Sequence, residues 1–352
     1  MASFIFVLGI LIFIHELGHF LVAKKVGIKV ERFSLGFPPN IFSRKYGDTI
    51  YSIGIVPLGG FVKMAGENPG EPSSGGPDEF MSKPVGQRAA VIFAGPFMNY
   101  LLSIVLLIGI FMFTGRPIFD EDRVIVGELV GDGPAERAGL HIDDVIIGIN
   151  GETVTSFDTV RTRINAVVED DLTVTWLHGD DTLSAVITTV MQEVPNLDGK
   201  VDTVGVIGFS QKIIGHDEYS VVESIEQGFV TAHIIVWETI KFIKRVISGQ
   251  ISAKMIGGPI FIAQQSGKEA KKGPSSLFFF MALLSVNLAV LNVLPIPILD
   301  GGHLVFLGLE KVKGSPLSVR ARMIAQQVGL AVLLGLILMV TYNDILRWIR
   351  EI

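Results

Sequence analysis

Cysteine is absent from all 352 residues. Disulfides and thiolate metal ligands are therefore excluded, and any metal must be held by His, Asp or Glu. Charge is scarce too, at 18% of residues. The formal net charge of −6 leaves no domain-wide basic surface, which argues against a nucleic-acid partner. What fills the chain is apolar: 49% of residues are hydrophobic and the mean hydropathy is +0.51. That is too greasy for an ordinary soluble domain and points to an integral membrane protein.

Four uncharged or nearly uncharged runs reach the roughly 20 residues that a bilayer requires. They are Ala2–Ala23, Ala89–Gly115, Gly273–Leu299 and Met323–Asn343. The first has neither the basic leader nor the small-residue cleavage site of a signal peptide, so it is expected to be retained. Lys24–Arg88 holds nine Lys/Arg and Asp300–Arg322 holds four. By parity these two connections share a side, and the positive-inside rule makes it the cytoplasm. Arg116–Lys272, with 24 acidic and 14 basic residues, then faces outward.

The first run, "FIFVLGILIFIHELGHFLVAKK" (Phe4–Lys25), carries ionisable groups at membrane depth. His15 and His19 are four apart, so a helix projects them from one face, with Glu16 beside the first. This is the H-E-x-x-H pattern, in which two imidazoles hold zinc and the glutamate is general base towards a water activated at the metal. The competing reading is a helix end whose histidines snorkel to the headgroups. Intramembrane ionisable residues favour the functional one.

A catalytic zinc takes a third protein ligand and keeps a fourth position open. The third run crosses in the same direction as the first, and its cytoplasmic end reads "NVLPIPILDGGHLVF". Asp300 ends the uncharged stretch, at about the depth of the histidines. Pro295, Pro297, Gly301 and Gly302 break the helix around it, as in membrane binding sites built from interrupted helices. His303 is the rival ligand. Asp300 is preferred because an unpaired carboxylate at that depth is expensive, whereas His303 can stay neutral near water. Asn287 and Asn292 lie on the same run, either as interhelical glue or facing the same cavity.

Between these landmarks, "GDTIYSIGIVPLGGFVKMAGE" (Gly47–Glu67) reads as a short hairpin, apolar enough to dip towards the membrane. Gly66–Gly86, with 12 of 21 residues Gly, Pro or Ser, reads as a flexible linker. Arg123–Met191 changes character: β-rich runs at Arg123–Leu129, Asp144–Asn150 and Leu172–Trp176, and a helix at Phe157–Val168. Val194–Lys212 is its trailing edge. Ser220–Ser248 repeats apolar residues every three or four positions, an amphipathic helix suited to packing on the spans or lying on the membrane surface.

The string "GDGPAERAGLHIDDVIIGINGETV" (Gly131–Val154) resembles the PDZ module of bacterial proteases, which adds peptides as an extra strand to a sheet edge. A plain spacer domain is the alternative. H-E-L-G-H in an N-terminal span, "PLGGFVKM", "VGQRAAVIFAGPFMN", the PDZ-like insert and "NVLPIPILDGGH" follow in that order. Together they resemble the site-2 protease family of intramembrane zinc metalloproteases, most closely its bacterial regulator-of-sigma-E protease branch. The best-known members of that branch carry two PDZ modules in tandem, and a single one is legible here.

The resemblance implies a polytopic α-helical membrane protein with four transmembrane helices, a membrane-associated β-hairpin and an extracytoplasmic PDZ-like α/β domain. It divides the chain into a membrane region at 1–115, the PDZ-like domain at 116–212, an amphipathic juxtamembrane region at 213–272 and a second membrane region at 273–352. It makes His15, His19 and Asp300 ligands of Zn2+ and Glu16 the catalytic base. Asn287, Asn292 and the hairpin, with Gly59, Gly60 and Phe61, would hold substrate. Peptide bonds in or near transmembrane segments of single-pass proteins, such as anti-sigma factors or signal-peptide remnants, would be cleaved. The protein would sit in the cytoplasmic (inner) membrane with its metal towards the cytoplasm, and protein tails would meet the PDZ-like domain outside. The other class of function is a catalytically silent scaffold presenting that domain, against which the intact H-E-x-x-H and Asp300 argue.

Overall fold

The computed structural model describes residues 2–67, 75–195, 201–250 and 256–350. It opens with helix α1 (Ala2–Lys25), ended by Lys24 and Lys25 against the negative helix terminus. Gly27, at φ 72°, takes the left-handed cap position, and the Ile28 N–H reaches back to the Ala23 carbonyl at 2.8 Å. The turn delivers the chain into two long antiparallel strands, β1 (Val30–Tyr46) and β2 (Thr49–Met64). The hairpin expected at 47–67 is thus only the second half of a larger one, whose tip lies at Gly47-Asp48.

Both strands bend, so four short stretches lie side by side. Leu35 pairs with Ile53 on one side and Gly60 on the other, and Phe42–Tyr46 pairs with Thr49–Ile53. Among the described residues, Gly60–Met64 is therefore one edge of this sheet. Phe13 and Phe20 of α1 dock on Phe33 and Tyr51 of the sheet through ring contacts of 5.2–6.0 Å. Such pairs contribute about 0.5–1.5 kcal/mol each beyond their burial.

Within the expected linker, residues 68–74 lie outside the described residues. The rest is not slack: Phe80 opens a 3-10 turn (Phe80–Ser82) and is buried in the core beside Ile28, Val30 and Phe33. Helix α2 (Val85–Thr114) follows. It crosses α1 closely, because a Cβ on Gly18 would overlap the Ala94 backbone. Small residues permit this approach between membrane helices.

The next unit, Met112–Ser220 with Arg245–Ile251, has its own core. In order it holds β3 (Arg116–Phe119), β4 (Val124–Leu129), α3 (Pro134–Arg137), β5 (Val145–Ile149), β6 (Glu152–Thr153), α4 (Phe157–Asn165), β7 (Asp171–His178), β8 (Asp181–Thr188), β9 (Val190–Pro195), β10 (Val201–Val206), β11 (Phe209–Gln211) and β12 (Ile213–Asp217). The main sheet runs β11-β4-β5-β7-β8, with β6 on β5. Leu172, Val174 and Trp176 alternate inward along β7, and Val160 and Ile164 of α4 close the core. The strands and helix expected between 123 and 191 are all present. Ser156 caps α4, its hydroxyl accepting the Thr159 N–H.

The first unit comprises Met1–Phe111, Val221–Lys244 and Ser252–Ile352. The amphipathic stretch is helix α5 (Val221–Ile247), and it packs on the spans: Ala232 and Ile235 join Ile104, Leu107, Ala282 and Val286. Then come α6 (Pro259–Lys272), α7 (Pro274–Val293), α8 (Asp300–Lys313) and α9 (Val319–Arg350). The third apolar run is not helical to Leu299: α7 stops at Val293, before Pro295, and α8 starts anew at Asp300. The buried Asp344 of α9 accepts the Gly258 and Phe261 amides at 3.0 and 2.9 Å, capping α6. Among the described residues, four helices, α1, α2, α7 and α9, are long and apolar enough to cross a membrane.

Candidate metal centre

His15 and His19 stand one turn apart on α1, and their Nε2 atoms are 3.2 Å from each other. The Asp300 Oδ2, brought by the first turn of α8, lies 3.2 Å from the His15 Nε2 and 3.6 Å from that of His19. Bonds of 2.0–2.1 Å to a tetrahedral zinc separate ligand atoms by roughly 3.4 Å. The three atoms thus outline one face of such a tetrahedron, with the opposite side open. Asp300 Oδ2 is buried and, among the described residues, has no hydrogen-bond partner of good geometry. Two imidazoles and a carboxylate form a donor set that zinc accepts. The residues fit the ion.

The surroundings orient these donors. The His19 Nδ1–H donates to the Val91 carbonyl of α2 at 2.8 Å, which turns the Nε2 lone pair towards Asp300. The Asn99 amide lies 3.3 Å from the His15 Nδ1, and its oxygen is buried without a partner among the described residues. With that oxygen turned to the ring it would accept the His15 Nδ1–H and set the same tautomer as in His19. Gly95, between these two positions of α2, leaves room for the rings: a Cβ there would overlap His19 and crowd His15. Burial pushes the His303 imidazole below its ordinary range.

A cavity of about 220 Å³ opens at this triad. Glu16 lines it beside His15, and the edge stretch of β2 passes close by, since a Cβ on Gly60 would meet the Glu16 Cγ at 3.2 Å. Phe61 also lines the cavity. Gly59 sits against the Phe37 ring instead. Asn287 and Asn292 are not in the lining: the Asn287 oxygen accepts the Thr239 hydroxyl of α5 at 2.7 Å, and Asn292 is half-buried on α7.

Several participants carried no role in the sequence reading. Asn99 and Gly95 lie inside "VGQRAAVIFAGPFMN", where an asparagine within an apolar span was the available signal. Glu67, whose carboxyl is pushed up by burial, accepts the Met64 N–H at the cavity wall. At the far end, the Arg88 guanidinium forks onto both Glu310 oxygens at 2.5 and 3.1 Å and also donates to the Lys83 carbonyl. Removing either partner of such a buried pair strands a charge, a loss of about 3–5 kcal/mol.

If Asn99 orients His15, Asn99→Ala should lower zinc affinity by about 10–100-fold, the usual range for a group behind a ligand. Competition with a zinc-selective chelator on the purified variant measures this. Unchanged affinity would reduce Asn99 to packing.

The model of peptidase family M50 matches residues 3–336. Zinc metalloprotease RasP of Geobacillus kaustophilus is 33% identical, covering 98% of this chain and 97% of its own length. A putative zinc metalloprotease of Agrobacterium fabrum is 34% identical, covering 97% and 94%. Regulator of sigma-W protease RasP of Bacillus subtilis is 30% identical, covering 98% of both. Among solved structures, the PDZ domain of an SdrC-like protein from Listeria monocytogenes matches 27% of this chain and 90% of its own, at 23% identity and a TM-score of 0.21. With a family match spanning the apolar helices and the triad alike, the chain belongs to peptidase family M50, the site-2 proteases, and is a multi-pass zinc metalloprotease.

Proposed function

We propose that this protein cleaves peptide bonds in or beside the transmembrane segment of single-pass membrane proteins, with His15, His19 and Asp300 holding Zn2+ and Glu16 as general base. The observation that carries the reading is the triangle of donor atoms with edges of 3.2, 3.2 and 3.6 Å beside a carboxylate. Two donors on the membrane-length α1, backed by the membrane-length α2, and a third just past the break after α7 support chemistry at membrane depth.

A bound Zn2+ supplies Lewis acidity here, polarising a scissile carbonyl and easing deprotonation of a water. Glu16 takes the proton of the attacking water and passes it to the leaving amine. Val91 and Asn99 hold the imidazoles still while this happens. A transmembrane substrate hides its carbonyls in helical bonds, so it must unwind before it reacts. The Gly60–Met64 edge lies beside Glu16 and suits pairing with the extended strand that results. Gly60 and Phe61 are its contacts there, and Gly59 leads into the edge from the Phe37 side. Asn292 and the amide nitrogen of Asn287, whose oxygen Thr239 holds in orientation, contact substrate along α7.

The lysine and arginine bias supports a cytoplasmic (inner) membrane location with the metal towards the cytoplasm and the 116–212 domain, PDZ-like in sequence, outside. Substrate tails meeting that domain would be filtered before the helix is admitted. Anti-sigma factors are one proposed substrate class, a reading supported by a relative named for regulation of sigma-W, and signal-peptide remnants are another of the same chemistry. The test is reconstitution with a single-pass substrate in lipid vesicles. Cleavage within or next to the apolar segment should vanish with a chelator and return with Zn2+; cuts confined to the soluble tail would overturn the reading.

A further inference from the structure

We infer that the second unit carries its own zinc site, formed by His141, Asp144 and His178. Their ligand atoms all lie within 4.8 Å of one another, the one group of three such donors besides the triad among the described residues.

Strand pairing builds the cluster. Val145 of β5 faces Leu177 of β7, so the next residues outward, Asp144 and His178, are brought together. His178 Nδ1 is 2.7 Å from Asp144 Oδ1. The other oxygen, Oδ2, accepts the His141 N–H at 2.8 Å, which folds the turn back and sets the His141 ring 5.1 Å from that of His178. Asp144 is 2% exposed, while both imidazoles face solvent. The carboxylate is therefore fixed by the fold, and the two rings are free to swing onto a shared ion. Neighbouring Asp143 is turned away, to Lys212.

An Asp144–His178 pair would exist without metal, but it leaves His141 unexplained. Among the described residues, no hydrogen bond reaches the His141 ring, although it stands in reach of the same carboxylate. Placing a tetrahedral ion requires the donor atoms to settle at roughly 3.4 Å from one another. The His178–Asp144 contact opens slightly and the widest separation closes, both by rotation of exposed rings. Two imidazoles and one carboxylate suit zinc or its late first-row neighbours rather than calcium or magnesium, which want oxygen. A water completes the shell. The ion would tie the turn at 141–144 to the β7–β8 hairpin, 34 residues further on.

The experiment uses the full chain in detergent, dialysed to equilibrium against low-micromolar Zn2+, with zinc per chain measured by mass spectrometry. Wild type should bind two equivalents. His141→Ala/His178→Ala should bind one and retain proteolysis, since neither residue touches the catalytic cavity. His15→Ala/His19→Ala should also retain one, which separates this site from the H-E-x-x-H pair. Amide exchange at 141–144 should slow with zinc in wild type and not in His141→Ala/His178→Ala. A single equivalent in wild type, or two in His141→Ala/His178→Ala, would overturn the assignment.

Discussion

Replacing Glu16 by Gln should abolish peptide hydrolysis while zinc stays bound. The side chain lines the cavity next to His15 but is not one of the three donors of the triad, so its loss costs no ligand. Glutamine keeps the size and the hydrogen-bonding oxygen and loses only the ability to take a proton. Removing a positioned general base lowers rates by about 10²–10⁴-fold, enough to fall below detection with slow membrane substrates. Two measurements on one preparation decide it: zinc content, expected unchanged, and cleavage of a reconstituted transmembrane substrate, expected absent. Retained cleavage would sink the mechanism as drawn. Lost zinc would show instead that Glu16 supports the metal.

The second large effect separates Asp300 from His303. Asp300→Asn should remove most of the zinc held at the triad, and with it activity, because one of its three donors becomes a neutral amide. His303→Ala should keep the metal and most activity. Both residues face the cavity, yet it is Asp300 whose Oδ2 lies at 3.2 and 3.6 Å from the two imidazoles. Metal analysis of the two purified variants decides between them, and the reverse pattern would make His303 the ligand.

The triad was legible because two simple rules reach it. The four-residue spacing of His15 and His19 needs only a helix, and parity of the spans puts Asp300 at their depth. The interruption around it was legible from Pro295, Pro297 and the two glycines, and α8 does begin at Asp300. What escaped depends on partners remote in sequence. Nothing local distinguishes Asn99 from interhelical glue until His15 lies beside it. Arg88 reads as a loop cation until Glu310 arrives from 222 residues away. Strand β1 was hidden because Pro38-Pro39 and the cluster Arg44-Lys45 interrupt its alternation, which β2 then satisfies from both sides. Phe80 was lost in a Gly/Pro-rich stretch, where composition outweighed one aromatic side chain.

Splitting the proposed ligands between α1 and α8 has a consequence for biosynthesis. About 280 residues separate His19 from Asp300, and translation at about 5–20 residues per second puts them roughly 15–55 s apart. The Arg88–Glu310 clamp across the same cavity, 222 residues apart in sequence, waits roughly 11–44 s at the same rates. A nascent chain thus enters the bilayer with its histidines but without a complete centre, among other newly inserted helices that it must not cut. Competence to cleave arrives only as the C-terminal helices dock. The zinc content of Asp300→Asn is then also a measure of how far an unfinished chain stands from being a protease.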